Sequence, residues 1–371
     1  MIRQNDFTRQ WKEIESSVVA AVRRVGASGW YILGEEVERF ENELAELSGV
    51  KHAVGVGNGI DALEIGLRCL DIRAGDKVLT TPFSAFATSL AIIRAHGIPV
   101  FADVDGTGNI DLEQCRTLLS RDRSIRFFLP VHLYGNPVDL EALASLKDDF
   151  ELSVVEDCAQ AIGARSRGRL AGTVGQVAGL SFYPTKNLGA LGDGGAVLTS
   201  DPSIAERAKS LRNYGQSSLY VHSELGLNSR LDELQAAILR DALLPNLNPW
   251  TRRRIEIAAR YQSGISHPDI QTLPVPVGSG AVWHLFPVLA REGKRDSLRE
   301  HLRRAEIATG IHYPRIIPEQ PALKDLQLYE NAGPVTKADH FSRCELSLPI
   351  HPFLTNDEVD AVIGACNAWE P

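Results

Sequence analysis

The spacing of apolar side chains divides the chain into helices and strands. Apolar residues recur every three to four positions over residues 10–25 and again over 34–47, the period of an amphipathic helix. Glu35, Glu36, Glu38 and Glu41 crowd the start of the second stretch, where carboxylates suit a helix N-terminus. The period then changes. HAVGVG (residues 52–57) reads as a short strand that turns through glycine into the apolar helical stretch of GNGIDALEIGLRCL. KVLTTP, a helix over residues 89–96 and the strand PVFADV follow, and IRFFLPVHLYG and LSVVEDC read as buried strands. This alternation predicts an α/β fold built on a mixed, mostly parallel sheet. From Leu234 a long helical pattern runs on and breaks at Pro245 and Pro249. It predicts a connecting helix pair leading into a smaller C-terminal α+β domain. The expected division is a large domain at 1–245, including the N-terminal helical segment, and a small one at 246–371. No internal repeat or low-complexity linker interrupts the chain.

Composition narrows the classes. The 371 residues are 44% hydrophobic and 23% charged, the balance of a soluble globular enzyme with ample length for a core. A net charge of −8 lacks the basic footprint of nucleic-acid binding. Any phosphorylated ligand must therefore be held locally, by backbone amides and a few cations. Cys69, Cys115, Cys158, Cys344 and Cys366 are odd in number, scattered and without a CxxC pair. They fit reduced thiols in a cytoplasmic protein better than disulfides or a zinc site, and no metal is expected. The polar start MIRQNDFTRQWKEIE has no signal-peptide core, and no apolar run approaches the ~18 residues of a membrane span.

Candidate chemistry centres on SFYPTKNLGALGDGG (residues 181–195), which sets Lys186 among aromatic, small and glycine residues. Partial desolvation lowers a lysine's pKa and frees its amine to form a Schiff base with a carbonyl. A solvated surface lysine is the plainer alternative. GNGIDAL (residues 57–63) joins a strand to a helix, so its amides and the helix N-terminus can seat a phosphate; an ordinary turn reads the same way. Asp157 ends an apolar strand, on the sheet edge that faces the ligand crevice of an open α/β fold. A carboxylate there can keep a pyridinium nitrogen protonated, with Gln160 placed for a ring hydroxyl; a helix N-cap is the alternative for Asp157. Phe86, in TTPFSAFATSLAI, can stack on a planar ring or pack in the core.

Together, phosphate turn, aromatic residue, Asp157 and Lys186 follow the order of a fold-type I pyridoxal-phosphate enzyme. The chain resembles the DegT/DnrJ/EryC1/StrS family of sugar aminotransferases. The likeness runs through GWYILGEEVERFE, GNGIDAL, TTPFSAFATSLAI, HLYGNPVDL, EDCAQAIGA and SFYPTKNLGALGDGGAV to GLNSRLDELQAAIL and IHYPRIIPEQPA. The resemblance implies that Lys186 carries pyridoxal 5′-phosphate as a Schiff base, that Asp157 pairs with the ring nitrogen and Gln160 with the ring hydroxyl, and that Phe86 stacks on the ring. It implies a phosphate held by Asn58, Gly59, Ile60 and Ser181, with Asn228 reaching in from a second subunit of a homodimer. It further implies L-glutamate as amino donor and a dTDP- or UDP-linked ketosugar as acceptor. Candidate substrate contacts are Tyr183, Arg212, Tyr214, Arg230, His312, Tyr313 and Arg315. The segment IHYPRIIPEQPA favours amination at carbon 3. A carbon-4 or ketocyclitol aminotransferase is the nearest rival, and a non-catalytic cofactor-binding regulator is a rival of another class. Three positions depart from the family pattern: Asn58 where Ser or Thr is common, and Ile162 and Pro318 where His is frequent.

Overall fold

The computed structural model describes residues 1–324 and 328–371. Helices α1 (Phe7–Ser28) and α2 (Glu35–Ser48) form on the predicted period. α1 starts three residues earlier than expected because Asp6 caps it, accepting from the Arg9 N–H at 3.0 Å. The cap of α2 comes from far along the chain. The Glu233 carboxylate accepts from the N–H groups of Gly34, Glu36 and Val37, each at 2.9 Å. Three donors at a helix N-terminus are thereby satisfied by one buried acid.

The main sheet contains β1 (His52–Val56), β2 (Lys77–Thr80), β3 (Ile98–Phe101), β4 (Phe127–Leu129), β5 (Ser153–Asp157), β6 (Val177–Ser181) and β7 (Gly195–Thr199). Their order is β1-β7-β6-β5-β4-β2-β3, with Glu330–Asn331 added beyond β3. Only β7 runs antiparallel to its neighbours, so the sheet is mixed and mostly parallel as the alternation predicted. The helices α3 (Gly59–Cys69), α4 (Phe86–Arg94), α5 (Leu112–Arg121), α6 (Leu140–Asp149) and α7 (Pro202–Arg212) connect and cover it. Burial on both faces explains why β4 and β7 read as unbroken apolar runs. α3 lies so close that a Cβ on Gly66 would stand 2.9 Å from the Val177 side chain.

Two expectations change. α4 begins at Phe86, not 89. The predicted break at Pro245 and Pro249 is absent: α8 (Glu233–Ile238) continues through a π-helical turn (Leu239–Leu243) into α9 (Leu244–Gly264). Pro245 follows the π turn and Pro249 lies inside α9, so both prolines are carried within one continuous helical run. The irregularity falls at the π turn instead.

Beyond α9, β8 (Ile270–Thr272), β9 (Phe286–Ala290) and β10 (Glu345–Leu348) form a small antiparallel sheet. With α10 (Arg295–Arg304) and the C-terminal helix Asn356–Asn367, this sheet encloses its own core around Phe286, Val288, Leu346 and Val359. Contacts cross the expected division at 245. Ile2 bridges to Ile307, and Ser279–Gly280 pairs with Arg165–Ser166 of the large domain. All five cysteines are buried and free, and no helix among the described residues is long and apolar enough to cross a membrane.

The end of β5 is fixed from behind by a fully buried pair, with Glu156 Oε2 2.9 Å from His132 Nε2. Glu156 also accepts from the N–H groups of Gly172, Val174 and Gly175 at 2.9, 2.7 and 2.7 Å. Burial opposes its charge, but the His132 bond and these amides outweigh burial and hold the carboxyl below its usual range. Cys158 lies close by, yet the donors already around Glu156 give the cluster a structural role. Replacing Glu156 by Ala strands several buried donors and should cost about 3–5 kcal/mol. A urea midpoint equal to that of the wild type would contradict this role.

Candidate active site

A cleft of about 260 Å³ opens at the carboxyl ends of β5 and β6, where an open α/β sheet presents its ligand crevice. Lys186 reaches it from the loop after β6. The loop is a tight turn, with the Lys186 N–H donating to the Tyr183 carbonyl at 2.8 Å. A Cβ on Gly189 would stand 2.3 Å from the Pro184 oxygen, so only glycine lets the loop close. Asn187 donates to the Val282 carbonyl at 3.0 Å and ties the loop to the chain beyond α9. Burial pushes the Lys186 amine down to about 8, against a partial counterforce from the Asp157 charge.

Asp157 is the last residue of β5 and is buried. One carboxylate oxygen accepts from Thr88 Oγ1 at 2.9 Å and the other from the Ala159 N–H at 3.1 Å. Burial raises its pKa, opposed by those two donors and by Lys186. Gln160 is oriented at both ends. Its Oε1 accepts from the Tyr134 N–H at 2.6 Å, and its Nε2 donates to the Tyr313 hydroxyl at 3.2 Å.

The anion seat is the start of α3. The Asn58 side chain accepts from the Asp61 N–H at 2.9 Å and donates to the Asp61 carboxylate at 3.0 Å, so it is consumed as the helix cap. The N–H groups of Gly59 and Ile60 take no bond within the chain among the described residues. The Ser181 hydroxyl lies alongside, and a Cβ on Gly59 would stand 2.7 Å from Ser181 Cβ. Two open amides at a helix N-terminus, a hydroxyl and a cradle that any side chain would fill fit a phosphate group. With an amine and a carboxylate in the same cleft, the residues present fit pyridoxal phosphate.

Asn58, Gly59, Ile60, Asp157, Gln160, Ser181, Tyr183 and Lys186 all line the cleft. Other candidates do not. Arg212 is buried and bonded to the Glu41 carboxylate and, at 2.8 Å, to the Gly55 carbonyl. It locks α2 to β1 and has no reach to a substrate. Phe86 is half-buried against Phe101, Ile317 and Leu323, while Ala85, Ala87 and Thr88 line the cleft. Phe86 is the first residue of α4 and lies between the cleft-lining Ala85 and Ala87. Arg230 lies over the exposed Tyr214 ring, 5.2 Å from its centroid, and donates to Asn213 at 3.1 Å. Asn213 bridges to the exposed Asn228, and this group stands outside the protomer's own cleft. His312 lines a smaller cavity of about 70 Å³ with Thr185 and His284, and Arg315 is exposed. Thr88 and Asp193 also line the main cleft, and neither carries a local sequence signal for it.

The profile of the DegT/DnrJ/EryC1/StrS aminotransferase family matches residues 12–367, and the chain belongs to that family. It is 44% identical to the erythromycin biosynthesis sensory transduction protein EryC1 of Saccharopolyspora erythraea, over 98% of each chain. It is also 44% identical to the dTDP-3-amino-3,4,6-trideoxy-alpha-D-glucose transaminase of Streptomyces venezuelae, over 98% of this chain and 95% of the relative. The crystal structure of S. venezuelae DesV in complex with a ketimine intermediate superposes with a TM-score of 0.94 at 42% identity, covering 100% of this chain and 99% of the other. The protein is a pyridoxal-phosphate-dependent aminotransferase of fold type I.

In the cofactor-free protein an acylating reagent should label Lys186 faster as pH rises through about 8, against about 10.5 for an ordinary lysine, since only the neutral amine reacts. Asp157→Asn removes the charge that favours the ammonium, and should lower the midpoint further. Peptide-resolved mass spectrometry reads both, and a Lys186 midpoint matching that of the exposed lysines would contradict the desolvated amine.

Proposed function

We propose that the protein transfers an amino group from L-glutamate to the carbon-3 ketone of a dTDP- or UDP-linked deoxyhexose, in amino-sugar biosynthesis. The observation that carries this reading is the desolvated Lys186 amine in one cleft with Asp157, Gln160 and the open amides of α3. The cofactor supplies the electron sink for breaking and making the bonds to nitrogen. Lys186 Nζ would hold it, and the free amine would act as the base that takes up and returns a proton. A positioned base of this kind contributes about 10²–10⁴-fold. Its low pKa keeps a useful fraction of free amine near neutrality. Asp157, held by Thr88 and Ala159, would pair with the ring nitrogen, and Gln160 would donate to the ring hydroxyl. The Gly59 and Ile60 amides and the Ser181 hydroxyl take the phosphate.

Carbon 3 is supported by the name of the S. venezuelae relative and by IHYPRIIPEQPA. The EryC1 relative is named for sensory transduction, and turnover with L-glutamate separates that reading from this one.

The reading includes a homodimer with shared sites. Asn228, Arg230 and Tyr214 lie off their own cleft, and Trp30, Tyr31, Leu219, Tyr220 and Leu225 expose apolar surface that a second copy would cover. Asn228 would then complete the neighbour's phosphate seat.

Lys186→Ala should abolish both turnover with L-glutamate and the visible band of bound cofactor; normal transamination in that variant would sink the assignment. The shared site has its own test. Asn228→Glu places a charge against the phosphate, so each variant alone should be inactive. Refolding the two variants together in equal amounts should restore about a quarter of wild-type activity, since half the dimers are mixed and each has one intact site. No recovery in demonstrably mixed dimers would contradict sharing.

A further inference from the structure

His312 borders the small cavity beside the Lys186 loop, and its ring is held from behind. His312 Nδ1 is 2.9 Å from Ser347 Oγ, and the Ser347 hydroxyl donates to Glu345 Oε1 at 2.5 Å. The backbone N–H of His312 donates to Glu345 Oε2 at 2.5 Å. Glu345 and Ser347 are alternate residues of β10, so both side chains stand on one face of the strand, and both are fully buried. Reciprocal backbone bonds between Ser347 and Gly310, at 2.8 and 3.0 Å, fix the strand against the His312 segment. Glu345 has no ion pair among the described residues.

Counting protons along this chain leaves two arrangements. Glu345 Oε2 receives the His312 N–H, so any proton carried by the carboxyl must sit on Oε1, facing Ser347. With Glu345 ionised, the serine proton points to Oε1, Oγ can only accept, and His312 carries its proton on Nδ1. Nε2 is then a bare acceptor. With Glu345 neutral, Oε1–H donates to Oγ, the serine proton turns to Nδ1, and Nε2 carries the hydrogen as a donor.

We propose that Glu345 and Ser347 are positioning residues that set whether His312 Nε2 accepts from or donates to the sugar, according to the proton on Glu345. The proposal rests on the reading of His312 as a sugar contact. A ketone or ether oxygen suits the donor state, and a hydroxyl hydrogen suits the acceptor state.

In the cofactor-loaded enzyme, where Lys186 is taken up by the cofactor, the surrounding charges leave one group to titrate. Burial pushes the Glu345 carboxyl up to about 8, although the Ser347 and His312 bonds and Arg295 of α10 pull the other way. Tyr134 and Tyr313 also face it, and both phenols stay protonated because burial raises them, with Glu345 adding to the effect. Burial and the Lys186 charge hold His312 down to about 4, so its ring is neutral throughout. His284, across the small cavity, is held neutral by burial and by Lys186, Arg254 and His312. The switch between tautomers should therefore fall near pH 8.

The test is ¹⁵N NMR of the cofactor-loaded enzyme with labelled histidine, the His312 ring assigned by its loss in His312→Gln. No substrate is present, so this readout stands apart from whether the enzyme aminates a sugar. The expected result is an Nε2–H ring at pH 6.5 that becomes Nδ1–H by pH 9.5. Glu345→Gln keeps an oxygen for the His312 N–H and turns its amide N–H toward Ser347, so it should lock the Nε2–H form at both pH values. Ser347→Ala, the second variant should the first not fold, should remove the pH-dependent exchange. A wild-type ring with one tautomer at both pH values, or a Glu345→Gln ring that still switches, would overturn the relay. The sugar contact is read separately, as a roughly tenfold rise in ketosugar KM on passing from pH 6.5 to 9.5 that Glu345→Gln abolishes. A ring that switches while the two enzymes keep identical KM profiles would overturn the contact.

Discussion

Everything in the cleft depends on keeping water away from one amine. A lysine in solvent is protonated at neutral pH and cannot attack a carbonyl; burial destabilises its charge and releases the lone pair. The neighbouring carboxylate works against that release, because an anion favours the ammonium. The fold resolves the conflict by engaging Asp157 elsewhere. Thr88 and Ala159 bind its oxygens, and its own burial lifts its pKa. The result is an amine held near 8 beside a buried carboxylate whose oxygens are both engaged. Each needs the sheet behind it: β5 delivers Asp157, the end of β6 delivers the Lys186 loop, and Glu156 with His132 anchors β5 from the rear.

The phosphate seat adds the second constraint, which is steric. Glycine at 59 lets the first turn of α3 come against Ser181, and glycine at 195 lets β7 begin 2.5 Å (for a Cβ placed there) from the Asn58 carbonyl. Asn58 spends its side chain on the helix and leaves the amides open. Asn58, where the family pattern has serine or threonine, has its side chain bonded to Asp61 as the helix cap. The His312 segment, with the Glu345–Ser347 pair behind it, borders a separate small cavity beside the Lys186 loop.

The sequence made the parallel sheet legible because its strands are short, apolar and separated by helical periods. It also made Lys186, Asp157 and Gln160 legible, since each sits where a strand ends and a loop begins. The cofactor roles came from the family likeness, not from spacing. Arg212 shows what spacing conceals. Its partner Glu41 lies 171 residues away, and no local pattern separates a guanidinium used for packing from one used for binding. Phe86 packs against Phe101, Ile317 and Leu323, residues far off in the chain, and its helix begins three residues before its expected start. Glu345 carries no local signal either; its role exists only because β10 lies beside the His312 segment.

The central claim is that nitrogen passes from glutamate, through the Lys186 site, to carbon 3 of a nucleotide-linked ketosugar. The most direct measurement follows that atom: cofactor-loaded enzyme is treated with ¹⁵N-labelled L-glutamate, freed of donor, and given a dTDP-linked 3-ketosugar for a single turnover. The account predicts one ¹⁵N per site leaving the protein and appearing bonded to carbon 3 in the NMR spectrum. Label that stays on the enzyme with that ketosugar and with its UDP-linked counterpart, or that appears on carbon 4 of a 4-ketosugar instead, would contradict it.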